Sequence, residues 1–123
     1  MTMDKFQMGQ TFEQEVVITK DHSVNRMGKE GADVLSTPAL LGLMENTCIL
    51  QSEPYLPEQH TTVGYAVDGL RHVAPTALGE KVQVKVLLSG VDRNRLTYDI
   101  EVYEGPDKRI AVANHKRAVI PIQ

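Results

Sequence analysis

A glutamate inside an apolar helical segment is the residue of this chain best placed to do chemistry. Glu45 stands one helical turn from Leu41 and one from Ile49, with Cys48 close by, so its carboxylate runs along an apolar stripe. Stripping water from a carboxylate concentrates its basicity, which a nucleophilic carboxylate or a general base requires. The plain alternative is a helix residue whose head escapes to water beside Asn46. Thr37 stands where the same helix must begin. It can serve as an N-cap, or it can sit beside unpaired N–H groups that hold an oxyanion or a carboxylate. Eight residues separate Thr37 from Glu45, about 12 Å of helix rise, so the two cannot hydrogen-bond along one straight helix. Something must lie between them, or a second subunit must contribute.

His72 closes a strand-like segment just before Val73-Ala74-Pro75, where a side chain can leave a sheet and reach a cleft. There it can relay a proton or orient a carboxylate, or simply cap the surface. Gly64 interrupts the run Thr61-Thr62-Val63-Gly64-Tyr65 without a turn signal. Such a glycine marks either a close approach of the backbone to another group, with an N–H offered to a carbonyl oxygen, or a bulge under the crossing helix. Near the C-terminus, Asn114-His115-Lys116-Arg117 sends His115 and Arg117 to one face of a strand and Lys116 to the other. That small patch can hold a phosphate or defend an edge strand. His22 and His60 lie in turns without supporting neighbours, and no histidine spacing fits a metal site, so no metal is assigned. Serine-hydrolase elbows, phosphate-binding glycine loops and dinucleotide fingerprints are absent.

These residues need elements to position them. Residues 11–19 contain the β-branched run Val16-Val17-Ile18 and predict a strand. Residues 25–31, with Gly28 and Gly31, predict a loop able to move over something. Ser36 or Thr37 as cap, Pro38 in the first turn and Pro54 as a stop predict a helix over residues 38–52, apolar on most of its circumference and therefore wrapped or covered by a sheet. Strands are predicted over residues 61–70, 81–89, 95–103 and 109–120. Val82, Val84 and Val86 alternate with Lys81, Gln83 and Lys85, and Leu96, Tyr98, Ile100 and Val102 alternate with Thr97, Asp99 and Glu101, so one sheet face is buried and the other wet. One buried helix followed by antiparallel strands predicts an α+β domain with the sheet curved around the helix.

Composition narrows the function. A chain of 123 residues, 41% hydrophobic and 24% charged, is expected to form one globular domain, too small for a two-domain enzyme or an eight-fold barrel. Thirteen Lys and Arg against sixteen Asp and Glu give a net charge of -3 and argue against a general grip on nucleic acid. The single Cys48 excludes an intrachain disulfide and fits a reducing compartment. No signal-peptide core and no run of roughly 18 apolar residues occurs, so no membrane partner is expected and the cytoplasm is the default.

The order of features carries more than any one of them. Ser36-Thr37-Pro38 opening a helix with Glu45 in its middle, then Thr62-Val63-Gly64, then Arg71-His72-Val73-Ala74-Pro75-Thr76-Ala77-Leu78-Gly79, then Asn114-His115-Lys116-Arg117, resembles the hot-dog-fold acyl-CoA thioesterases. The group that includes fluoroacetyl-CoA thioesterase is the most similar. The resemblance implies a sheet wrapped around one central helix, homodimers pairing their sheets edge to edge, active sites at the dimer interface, an acyl-CoA substrate and no cofactor. Whether dimers pair into tetramers is left open. It also implies catalytic roles for Thr37, Glu45 and His72, an amide at Gly64 facing the thioester oxygen, and a basic substrate-binding position at Arg117. No aromatic residue lies between Asn25 and Ser36, so no fluoroacyl selectivity is expected. An acyl-CoA binding module without turnover is the rival function.

Overall fold

The helix begins at Ser36-Thr37-Pro38, and the cap is Ser36. Its Oγ accepts a hydrogen bond from the Ala39 amide at 3.2 Å, Pro38 occupies the first turn, and α1 spans Thr37–Ser52. Thr37 is thereby released from capping. After α1 the chain tightens into a short 3-10 turn at Glu53–Tyr55, and Pro54 prevents the helix from continuing.

The computed structural model describes residues 2–24 and 32–123, so the loop expected over residues 25–31 lies outside the described residues. Five strands, β1 Thr11–Val17, β2 His60–His72, β3 Lys81–Asp92, β4 Arg95–Glu104 and β5 Lys108–Pro121, form one antiparallel sheet in the order β1-β3-β4-β5-β2. The strands fall where alternation puts them. β3 runs on through Gly90 because a register shift between Leu88 and Gly90 absorbs a residue, and the chain reverses at Arg93, at φ 58°. Val82, Val84, Val86 and Leu88 of β3 and Leu96, Tyr98, Ile100 and Val102 of β4 are buried against Leu40, Met44 and Cys48 of α1. Lys81, Lys85, Asp99 and Glu101 lie on the wet face.

α1 is covered along a stripe rather than all round. Leu40, Met44, Thr47, Cys48 and Gln51 are buried, whereas Leu41, Leu43, Ile49 and Leu50 remain half-buried. Two polar members of the stripe are paired: Thr47 Oγ1 donates to Gln14 Oε1 at 2.8 Å and Tyr98 Oη donates to Gln51 Oε1 at 2.7 Å.

β2 must follow the helix closely, and its register shows how. It touches α1 near Glu45 through Gly64 and near Thr37 through His72. Those eight residues of extended strand would span about 26 Å against about 12 Å of helix, so a straight strand cannot make both contacts. Register shifts between Gly64 and Ala66 and between Asp68 and Arg71, the second containing Gly69 at φ 61°, let β2 bend around α1.

Candidate active site

Glu45 leaves α1 toward β5 and the first bulge of β2. Its Oε2 lies 3.9 Å from Arg117 Nη1 and 4.0 Å from His115 Nε2, and the side chain keeps 40% of its exposure. It stands at the mouth of a cleft of about 330 Å³ that Leu41, Gly64, Tyr65, Ala66 and Val67 also line. The sequence places this carboxylate along an apolar stripe; the structure adds a buried guanidinium beside it. The carboxylate thus borders the cleft while its Oε2 stands near the cation.

Gly64 is required by close approach. A Cβ there would lie 2.9 Å from His115 Cε1, 3.0 Å from Arg117 Nη1 and 3.3 Å from Glu45 Oε2. The bulge reading of Gly64 also holds, since the first register shift of β2 begins at this residue. Arg117 is 4% exposed. Its Nε donates to Thr62 Oγ1 at 3.0 Å, its Nη2 to the Thr62 carbonyl at 3.1 Å and its Nη1 to His115 Nε2 at 3.1 Å. The guanidinium is therefore turned inward toward Glu45 rather than offered to a phosphate in solvent.

Thr37 and His72 meet at the other end of the same helix stripe. Thr37 Oγ1 and His72 Nδ1 share a hydrogen bond of 2.8 Å. The backbone enforces this pairing: Leu35 N–H donates to the Thr76 carbonyl at 2.8 Å and Leu78 N–H to the Asp33 carbonyl at 3.2 Å, stitching the loop after β2 to the segment before α1. His72 thus orients a hydroxyl, not a carboxylate. Its Nε2 is buried with no hydrogen-bond partner among the described residues. A cleft of about 310 Å³ beside the pair is lined by Val24, Val34, Leu35, Val73, Ala74 and Pro75.

Of the five residues singled out in the sequence, one chain brings Thr37 to His72 and Glu45 to Gly64 and Arg117, and leaves the two groups at opposite ends of two helical turns. His115 was read only as a member of the basic patch, and Thr62 was given no role. Alternation had put His115 on the face of Arg117, but Val112, Ala118 and Ile120 on the opposite face are as apolar as Ala111, Ala113 and Val119, so the buried side of β5 was not readable.

Burial lowers the pKa of His72, opposed by a backbone hydrogen bond with Ala74. Burial also lowers that of His115, opposed by the Ala66 backbone. Both rings favour the neutral form in the folded chain, while the unfolded chain begins to bind protons near the ordinary value of 6.5. Stability therefore rises with pH across the window just below 6.5 and is lost as pH falls through it. Thermal melting is expected at a lower temperature at about pH 5.5 than at about pH 7.5, and equal melting temperatures would contradict the shifts.

Cys48 lies behind this site and takes no part in it. Burial pushes its thiol up to about 12, with Glu45 adding to the effect and Arg117 opposing it. The native protein is expected to leave an aromatic disulfide reagent unreacted, and the denatured chain to release one equivalent of chromophore, since there is one cysteine. Rapid labelling of the native thiol would refute this.

A five-stranded antiparallel sheet bent around one helix is the hot-dog fold, and here a carboxylate and a hydroxyl–imidazole pair stand along that helix. The family model of the fluoroacetyl-CoA-specific thioesterase, FlK, matches residues 18–123, and the chain belongs to that family. It is 29% identical over 126 aligned positions to a fluoroacetyl-CoA thioesterase of Streptantibioticus cattleyicolor, covering 98% of this chain and 89% of that protein. A crystal structure of a mutant fluoroacetyl-CoA-specific thioesterase in complex with fluoroacetate and CoA superposes with a TM-score of 0.83 at 28% identity, over 94% of this chain and 96% of that one. A hot-dog-like protein from Thermanaerovibrio acidaminovorans shares the fold, with a TM-score of 0.85 at 23% identity over 96% of this chain and 86% of that one. No helix among the described residues is long and apolar enough to cross a membrane.

Proposed function

We propose that the 123-residue chain acts as one hot-dog domain in the cytoplasm that hydrolyses an acyl-CoA thioester to free acid and CoA. The observation that carries the reading is the Glu45 carboxylate at the mouth of a cleft, with Arg117 behind it and the Gly64 backbone beside it. Glu45 supplies the anion that attacks the thioester carbonyl or draws a proton from an attacking water. Addition gives a tetrahedral oxyanion whose collapse breaks the C–S bond, and the leaving thiolate is protonated to CoA. Water attack gives the free acid directly, whereas attack by Glu45 leaves a glutamyl anhydride that water then hydrolyses to the acid, freeing the carboxylate. The Gly64 amide stabilises the oxyanion, and Arg117 contributes to substrate binding through the positive charge that it holds beside Glu45. His72, oriented by Thr37, moves protons during hydrolysis. The acyl group is not specified by these residues.

The separation of the two groups calls for a second copy of the chain. β2 is an edge strand, and Val63, Tyr65 and Val67 along it are exposed at 42%, 46% and 38%. An edge so long and apolar is an aggregation hazard unless covered. In a homodimer, β2 would pair with β2 of the second copy, and each cleft would be completed by residues of both. The rival reading, acyl-CoA binding without turnover, draws on the same separation: a chain that never unites the two groups would hold the ester and leave it intact. Thiol release from short, branched and aromatic acyl-CoA esters tests the proposal. Stoichiometric CoA supports hydrolysis, and saturable binding with no thiol supports the carrier.

His72 sets the expected pH dependence. A base that protonates only below the ordinary histidine range gives kcat/KM an acid limb below 6.5. His72→Asn is expected to remove one titrating group from that limb and to lower kcat by about 10²–10⁴-fold. An unchanged profile in the variant would take the proton-transfer role from His72.

A further inference from the structure

The histidine of β5 that faces Glu45 has no part in the scheme above, yet both of its ring nitrogens are bonded. His115 is 2% exposed. Its Nδ1 lies 2.8 Å from the Ala66 carbonyl oxygen, which can only accept, so the ring proton sits on Nδ1. Its Nε2 lies 3.1 Å from Arg117 Nη1, which can only donate, so Nε2 carries a lone pair. The two partners together admit one state of the ring, the neutral Nδ1–H tautomer. Thr62 takes Nε and Nη2 of Arg117 at 3.0 and 3.1 Å, which leaves Nη1 as the part of the guanidinium shared between His115 and Glu45.

We infer that His115 is a positioning residue: as a neutral acceptor it fixes Arg117 Nη1 beside Glu45 and ties that guanidinium to the β2 bulge through the Ala66 carbonyl. The inference deepens the proposed hydrolysis, and its effect on turnover rests on that reading. A ring that merely filled space would need neither nitrogen. Protonating Nε2 removes the acceptor and sets an imidazolium against a guanidinium now 3.1 Å away, so Arg117 must turn from its place beside Glu45. The charged and titratable groups acting on the ring are Arg117 on its own strand and Glu45 on α1; Cys48 and Tyr98 act on the guanidinium, and Tyr98 is the register partner of His115 on β4. From β2 the ring meets the Ala66 carbonyl and the backbone at Gly64. The clamp accordingly holds at neutral pH and opens in acid.

His115→Gln and His115→Phe separate this role from packing. A glutamine amide oxygen can accept from Arg117 and does not titrate, whereas phenylalanine fills the space without an acceptor. At about pH 7.5, the Gln variant is expected to keep kcat/KM within about fivefold of wild type, and its acid limb to lose one titrating group while that of His72 remains. The Phe variant, where folded, is expected to lose about tenfold or more in kcat with KM little changed. A Gln profile superimposable on wild type, or a folded Phe variant with wild-type kcat, overturns the inference; where Phe does not fold, the Gln profile decides. Imidazole ¹⁵N spectra of the wild-type protein give a test without turnover. They are expected to show the Nδ1–H tautomer of His115 at about pH 7.5 and a slowly exchanging Arg117 Nε–H that is lost as the ring titrates, and a proton on Nε2 at that pH overturns the inference. The expected spectra from a protein that hydrolyses no acyl-CoA would uphold the clamp and remove the proposed function.

Discussion

Glu45→Gln is expected to lower kcat for acyl-CoA hydrolysis by about 10²–10⁴-fold and to leave the melting temperature nearly unchanged. Glutamine keeps the length and shape of the side chain but cannot attack a carbonyl or take a proton from water. The fold should tolerate the change because the side chain is 40% exposed and the buried guanidinium it leaves behind keeps its hydrogen bonds to Thr62 and His115. KM should move less than kcat, since the acyl-CoA is held by the cleft and not by this carboxylate. Thiol release and thermal melting on the same preparations measure both quantities. A variant that melts like wild type and turns over at a near wild-type rate would remove Glu45 from the chemistry.

Gly64→Ala is expected to damage both stability and turnover. The added methyl would meet His115 Cε1 at 2.9 Å and Arg117 Nη1 at 3.0 Å, and neither can yield easily. The ring is held at both nitrogens and the guanidinium by Thr62 and His115, so the bulge of β2 must move outward instead. Overpacking of this kind costs about 1–3 kcal/mol. If the Gly64 amide faces the thioester oxygen, displacing it costs a further factor of about 10²–10³ in kcat. Gly42 on α1 is the matched control, because a Cβ there meets nothing within 4 Å, and Gly42→Ala is expected to be neutral or to gain about 0.5–1 kcal/mol. Equal melting temperature and kcat for Gly64→Ala and wild type would mean that the backbone approach at Gly64 serves no purpose.

Much of this molecule was legible because two periodicities are clean. Val82-Gln83-Val84-Lys85-Val86 and Leu96-Thr97-Tyr98-Asp99-Ile100 each alternate strictly, which fixed the strands, their buried faces and the place of the helix beneath them. Pro38 and Pro54 bracketed α1 to within a residue at each end. The helix N-terminus was less clear, because Ser36 and Thr37 can both cap. Only the Ser36 to Ala39 hydrogen bond assigns the cap and frees Thr37 for His72. Glu45 and Gly64 were readable as anomalies, a charge on an apolar stripe and a turnless glycine. Their mutual contact was not, because it depends on how far β2 bends, and the two register shifts that bend it leave no sequence signal beyond Gly64 and Gly69. Arg117 was readable as basic but not as buried, since both faces of β5 carry apolar residues.

The reaction of the wild-type protein with a thioester is the most direct test of hydrolysis at this cleft. Incubating it with short-chain acyl-CoA esters, fluoroacetyl-CoA and acetyl-CoA among them, and quantifying both products should give free CoA and free acid in equal amounts, saturably in ester, with Cys48 contributing no thiol signal. Tight, saturable uptake of every ester with neither product released would contradict it.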